Sequence, residues 1–141
     1  MSNQKKLVLD ANILIRAVLG RRVRTLLTRY EEKVQFYAPE VCFIDAHRHL
    51  PTLLHTDEIH HGLDILAQIA RIVEAVDRSL YEKFEGSARP RIVARDPDDW
   101  PIAATAMLHE CGIWTEDQDF FGIGIAIWTT DRVELYLRDT S

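Results

Sequence analysis

The stretch IWTEDQDFFG at residues 113 to 122 carries Glu116, Asp117 and Asp119 within four positions. A plain turn needs one Asp, Asn or Gly, so acids this dense form either a solvated loop or a site that uses anions together. Three other stretches offer carboxylates: LVLD ends on Asp10, PEVCFIDAH holds Asp45, and DPDDW holds Asp96, Asp98 and Asp99. Carboxylates brought together raise one another's pKa or share divalent cations. Oxygen-only ligand sets suit hard ions such as Mg²⁺ and Mn²⁺. Two such ions about 4 Å apart can orient an attacking water and stabilise the leaving oxygen of a phosphodiester. No GxGxxG or GxxxxGK[ST] loop accompanies the acids. A metal-dependent phosphodiester hydrolase therefore fits better than a nucleotide-binding enzyme.

Several elements must bring these acids together. KLVLD at 6–10 reads as a short buried strand ending in an acid. From Asn12 to Glu32, Ile13, Ala17, Leu19, Leu26, Leu27 and Tyr30 recur at helical spacing, with Gly20 as a break. VQFYAP at 34–39 is a second strand, and PEVCFIDAHRHL a helix with Pro39 near its start. Asp57 to Gly86 carries a long helical stripe through Ile65, Ile69, Ile72, Val73, Val76 and Leu80. ARPRIVA at 88–94 is expected as the third strand, IWT as the fourth and GIAIWTT at 124–130 as the fifth. Between them, DPDDWPIAATAMLHECG signals a helix with acids and Pro101 in its first turn and Gly112 as its stop. Strands alternating with helices imply an α/β fold, a three-layer α/β/α sandwich around a mostly parallel sheet of about five strands. Ligands of such sheets bind beyond the carboxyl ends of the strands, the edge to which all four acidic stretches lead.

The 141 residues, 47% hydrophobic and 28% charged, suit one soluble globular domain over 1–141. The early apolar run is only LVL at 7–9, so neither a signal peptide nor a membrane span is expected. Cys42 and Cys111 stand apart, in keeping with buried apolar roles in a reducing cytoplasm. The net charge of −5 argues against gripping nucleic acid through an overall field, yet GRRVRTLLTR at 20–29 concentrates four arginines. Arg21, Arg22 and Arg24 are candidate contacts to RNA phosphates or to an acidic partner, beside the simpler reading of a solvated helix face.

LVLDANILI, the PEVCFIDAHRHL helix, DPDDWPIAATAM and WTEDQDF together resemble, in order, the four acidic motifs of PIN domains. These are ribonuclease folds of the VapC-like, PilT N-terminus type, and the resemblance covers nearly the whole chain. It implies an Mg²⁺- or Mn²⁺-dependent endoribonuclease, dimerisation, and an antitoxin partner for a toxin component. The family's first acid falls on Asp10, with Asn12 of D-x-N as its orienting neighbour. The third acid falls on Asp99, and T-x-D puts the fourth on Asp117 with Thr115 in support. Asp119 is then an auxiliary metal ligand, Glu116 faces solvent, and Phe120 and Phe121 anchor the following turn.

The second acid departs from the pattern. Where the family usually has glutamate, this chain has Asp45, with Leu50 five residues on as expected. Glu40 lies five residues earlier, about 500° around a helix, and so cannot share Asp45's face. Asp45 is the expected catalytic residue beside Asp10, Asp99 and Asp117, with a shorter reach. Its weakness keeps open a second reading, a PIN-like RNA- or protein-binding module of reduced activity. A third is a haloacid-dehalogenase-type phosphatase, but its D-x-D at the strand end is absent from LDAN.

Each acid also has a bland reading. Asp10 and Asp119 could cap turns, Asp96 suits the turn before Pro97, and Asp98 suits a helix start. His47, His49, His55, His60 and His61 crowd one segment without HxxxH spacing, which favours a solvated or partner-facing surface over zinc. Trp100, Trp114 and Trp128 read as packing residues.

Overall fold

The computed structural model describes residues 4–92 and 96–138. Five strands form one sheet in the order β3-β2-β1-β4-β5, and every pairing is parallel. They are β1 (Lys5–Leu9), β2 (Val34–Pro39), β3 (Val73–Val76), β4 (Gly112–Trp114) and β5 (Ile127–Trp128). In β1, at the centre, Leu7, Val8 and Leu9 are all fully buried, as a strand covered on both faces requires.

Helices α1 (Ala11–Leu19) and α2 (Arg22–Tyr30) connect β1 to β2. Helices α3 (Glu40–Leu53) and α4 (Ile59–Ile69) connect β2 to β3. Helices α5 (Arg78–Tyr81), α6 (Glu85–Ile92) and α7 (Trp100–His109) return the chain to β4, and α8 (Val133–Leu137) follows β5. The first two connections step across the sheet one way and the third steps back. Right-handed crossovers therefore put α1–α4 on one face and α5–α7 on the other. The result is the expected three-layer α/β/α sandwich.

Two expectations fail in the middle of the chain. The stripe over 57–86 is not one helix: α4 stops at Ile69, and Val73 and Val76 belong to β3. Short apolar runs satisfy both periods, and here pairing with β2 decides the matter. The segment expected as a third strand is instead α6, where Ala88 and Ile92 bury one helical face and Arg89 bonds Glu85 one turn earlier at 2.6 Å. Residues 93–94 of that expected strand lie outside the described residues.

Helix α7 forms as expected, with Pro101 near its start and Ala103, Ala104 and Ala106 buried. It ends at His109, where Glu110 takes a left-handed φ of 51°, and not at Gly112. Gly112 serves the sheet: a Cβ there would lie 2.8 Å from the Ala126 carbonyl oxygen. Trp100 and Trp114 are buried, and half-buried Trp128 stacks on Tyr136 at 5.4 Å. Cys42 is buried and Cys111 partly so. No helix among the described residues is long and apolar enough to cross a membrane.

Candidate active site

The chain leaves β1 toward β2 on one side and reaches β4 on the other, so the sheet's topological switch point lies between β1 and β4. Ligands of open α/β sheets bind there, beyond the carboxyl ends. Asp10 follows β1 directly and Thr115 follows β4 directly, and their side chains meet. The Thr115 hydroxyl donates to Asp10 Oδ2, while the Ile13 amide donates to Asp10 Oδ1 at 2.9 Å. Asp10 is thus also the N-cap of α1. Asp10 and Thr115 are buried polar residues, at 4% and 0% exposure.

The bonds continue outward. The Asp117 amide donates to Thr115 Oγ1 at 2.9 Å, and the Asp119 amide donates to Asp117 Oδ1 at 2.9 Å. One threonine hydroxyl therefore ties the first acid to the loop that carries the fourth.

A single cleft is lined by Asp10, Asp45, Asp99 and Asp117, and also by Asp96, Asp98 and Asn12. Burial raises the Asp10 carboxyl to about 6, against the Thr115 and Ile13 hydrogen bonds that lower it. Asp117 and Glu116 add a smaller upward push. Asp99 rises to about 7, first through burial and then through Asp96, Asp117, Asp10 and Asp119. Beneath them the buried Cys42 thiol is raised, mainly by burial and further by the charges of Asp10, Asp45 and Asp99. Asp10, Asp99 and Asp117 thus act on one another electrostatically, while Asp45 shares the cleft and reaches Cys42.

Asp99 stands at the N-terminus of α7, its amide donating to the Asp96 carbonyl at 3.1 Å, while its carboxyl neither caps the helix nor makes a hydrogen bond among the described residues. The local cap is Asp96, which accepts the Asp98 amide at 3.0 Å, as its place before Pro97 suggested. Asp45 lies on α3, half-exposed, with Arg48 3.9 Å away. Glu40 is turned to other work, accepting the Arg78 amide at 3.2 Å.

Some roles differ from those expected. Asn12 is exposed and makes no hydrogen bond to Asp10 among the described residues; the Thr115 hydroxyl and the Ile13 amide hold that carboxyl. Glu116 does not face solvent freely: its Oε2 accepts the Thr130 amide at 2.6 Å. Phe120 is buried, but Phe121 is 44% exposed and does not anchor the turn. Arg24 is half-buried, and its guanidinium reaches the Ala17 and Val18 carbonyls at the end of α1, at 3.4 and 3.5 Å. Arg21 and Arg22 are exposed. His49 lines the cleft one helical turn after Asp45. The spacing of four residues could have shown this, had the histidines been set against the acids and not against each other.

The donor set, carboxylates only and two of them raised by crowding and burial, fits a hard divalent cation in chemistry and in place. Among the described residues no three His, Cys, Asp or Glu side chains are yet close enough to chelate one ion. A bound cation would have to draw them together.

The sequence matches the family model described as PIN domain over residues 8–138. Comparison with curated proteins gave no match. Among solved structures, one described as VapBC2 from Rickettsia felis bound to a DNA fragment from their promoter is similar, with TM-score 0.71 and 13% identity over 88% of this chain and 98% of that one. FitAcB from Neisseria gonorrhoeae aligns with TM-score 0.68 and 21% identity over 88% of this chain and 97% of that one. PAE2754 from Pyrobaculum aerophilum aligns with TM-score 0.70 and 14% identity over 96% of this chain and 91% of that one.

Proposed function

The chain belongs to the PIN-domain family, and on that premise we propose that it is an Mg²⁺- or Mn²⁺-dependent endoribonuclease, the toxin of a toxin–antitoxin pair. The observation that carries this reading is the convergence of Asp10, Asp45, Asp99 and Asp117 on one cleft at the switch point of the sheet. Asp10, Asp99 and Asp117 would hold the cation, with Asp119 assisting and Asp45 completing the acidic ring. Bound there, the cation supplies Lewis acidity and neutralises charge at a phosphodiester.

The protein's own part is positional. Thr115 holds Asp10 and the Asp117 loop in register, so the two sides of the switch point move as one. Asp99, raised to about 7, sheds its proton readily at neutral pH once a cation compensates its neighbours. An antitoxin partner is supported by a solved neighbour described as a toxin–antitoxin complex from Klebsiella pneumoniae; a homodimer rests on the family resemblance, and a cytoplasmic place on the two unpaired cysteines.

Cleavage of single-stranded RNA by the purified protein in Mn²⁺, stopped by EDTA and by Asp99→Asn, is the expected result. Equal cleavage by wild type and Asp99→Asn would identify a contaminant and sink the proposal. A binding module of reduced activity is the second reading, favoured by the exposure of Asp45 and its proximity to Arg48. Tight RNA binding with no cation-dependent cleavage would decide for it.

A further inference from the structure

Resting on the nuclease reading, we propose that a single RNA strand leaves the acid cleft along α1 and over the α1–α2 corner, with Arg16, Arg21 and Arg22 holding its phosphates. Three adjoining depressions make the path. The acid cleft shares Asn12, Ile15 and Asp117 with a second depression, whose wall is completed by Arg16 and Glu116. That one shares Arg16 with a third, which curves past Leu19, Gly20, Arg21 and Arg22 to Thr130. Asn12 and Arg16 sit one turn apart on α1, about 6 Å along its axis, so the helix itself lays out the direction.

The charges along the path are uncommitted. Arg16, Arg21 and Arg22 are exposed, and their guanidinium groups have no partner among the described residues. Several other arginines are engaged: Arg29 with Glu134, Arg78 and Arg89 with Glu85, Arg91 with the Ile123 carbonyl, and Arg24 with the end of α1. Arg71, also exposed, lies at the opposite end of the strands, away from the path. In a chain of net charge −5, three free guanidinium groups along one groove are left for an anion from outside. Of the two acids on the second depression, Glu116 already accepts the Thr130 amide, and Asp117 belongs to the acid cleft itself. Leu19, 47% exposed, offers apolar surface between the arginines for a sugar or base.

The anion is a nucleic-acid strand because the track opens into the carboxylate cleft. An acidic peptide entering there meets like charge, whereas a phosphodiester is the group a cation among those carboxylates would receive. The recessed Asp10, 4% exposed, favours one strand over a duplex.

Binding is measured in the Asp99→Asn background, where cleavage does not interfere, as the affinity for a short single-stranded RNA against salt. Each of R16Q, R21Q and R22Q should lower the slope of log K against log salt by about 0.7, and the triple variant by about 2. R71Q, an exposed arginine at the opposite end of the strands, should leave it unchanged. Circular dichroism checks that each variant is folded. A triple variant with the parental slope overturns the track, as does an R71Q effect of the same size. Loss of an acidic-peptide ligand with RNA binding intact overturns it too, in favour of a protein surface. Cleavage that depends on Asp99 together with an unchanged slope sinks the track alone. A lowered slope without such cleavage keeps the track and sinks the nuclease.

Discussion

On the strand side of the cleft Asp10 is buried and bonded through both oxygens, whereas on the helical side Asp45 is half-exposed and, among the described residues, has Arg48 as its ion-pair neighbour at 3.9 Å. The carboxyl of Asp99, also helical, makes no hydrogen bond among the described residues. Buried hydrogen bonds cost about 1–3 kcal/mol to break one-sidedly, while exposed ion pairs contribute about 0–1 kcal/mol. The strand side is therefore fixed before any ligand arrives, and the helical side can adjust to one. A site built this way keeps one reference wall and lets a cation close the other onto it, in keeping with the lack of a ready-made chelate among the described residues.

The largest effect should come from removing the raised carboxyl of either wall. Asp10→Asn and Asp99→Asn are each expected to lower RNA cleavage by a factor on the order of 10³, about 4 kcal/mol of transition-state stabilisation. Initial rates in saturating Mn²⁺ would test this. A mild loss for Asp10→Asn alone would mean that the fixed wall is structural and the chemistry lies entirely on the helices.

Without a cation the same two carboxyls should make stability depend on pH. Both are raised above the usual 3.8, Asp10 to about 6 and Asp99 to about 7, so between those limits the native state binds more protons than the unfolded chain. Stability from these groups is then highest near pH 4 and falls as pH rises through 6 and 7. For buried Asp10 the change is on the order of 3 kcal/mol, and half-buried Asp99 adds less because water screens it. Urea unfolding in EDTA, wild type against the Asp10→Asn/Asp99→Asn double variant, isolates the two carboxyls. Mn²⁺ at pH 7.5 should restore wild type and leave the double variant unmoved. A wild type that gains stability relative to the double variant from pH 5 to 7 would contradict the burial of Asp10 as an unpaired charge.

Thr115 tests whether the fixed wall is held by one hydroxyl. Thr115→Val removes the donor to Asp10 and the acceptor of the Asp117 amide, at a cost of about 1–3 kcal/mol. Activity or cation affinity should fall about 10- to 100-fold, as for other groups that orient metal ligands. Thr115→Ser should recover most of both. Failure of serine to rescue would assign the loss to packing of the methyl group.

The contrast between the walls also marks what could be read beforehand. Asp10 and Asp117 were legible because each lies just beyond a short apolar strand, Asp10 immediately after β1 and Asp117 three residues after β4, a local feature with a topological consequence. Thr115 was expected as a support, but its actual bond, across the sheet to Asp10, depends on β1 and β4 being neighbours. The third strand was misplaced because VEAV and RIVA are equally short and apolar, and only pairing with β2 tells them apart. His49 and the fixed Glu116 needed tertiary positions: α3 packed against the cleft, and Thr130 brought back beside β4.

The smallest effects decide which acid of α3 belongs to the site. Glu40 is committed to the Arg78 amide at the start of α5, so Glu40→Ala should cost about 1 kcal/mol or less and leave cleavage unchanged. Asp45→Asn should lower activity about 10-fold, less than the loss at Asp10, because a half-exposed group on the adjustable wall is partly replaced by water. Asp45→Glu adds one methylene of reach and should raise cleavage at limiting Mn²⁺ while leaving the saturated rate nearly unchanged. The Mn²⁺ concentration for half-maximal activity, compared across the three variants, reads these differences directly. If Glu40→Ala abolished cleavage in a folded protein, or Asp45→Glu raised the Mn²⁺ requirement, the second acid would have to be reassigned and the adjustable wall with it.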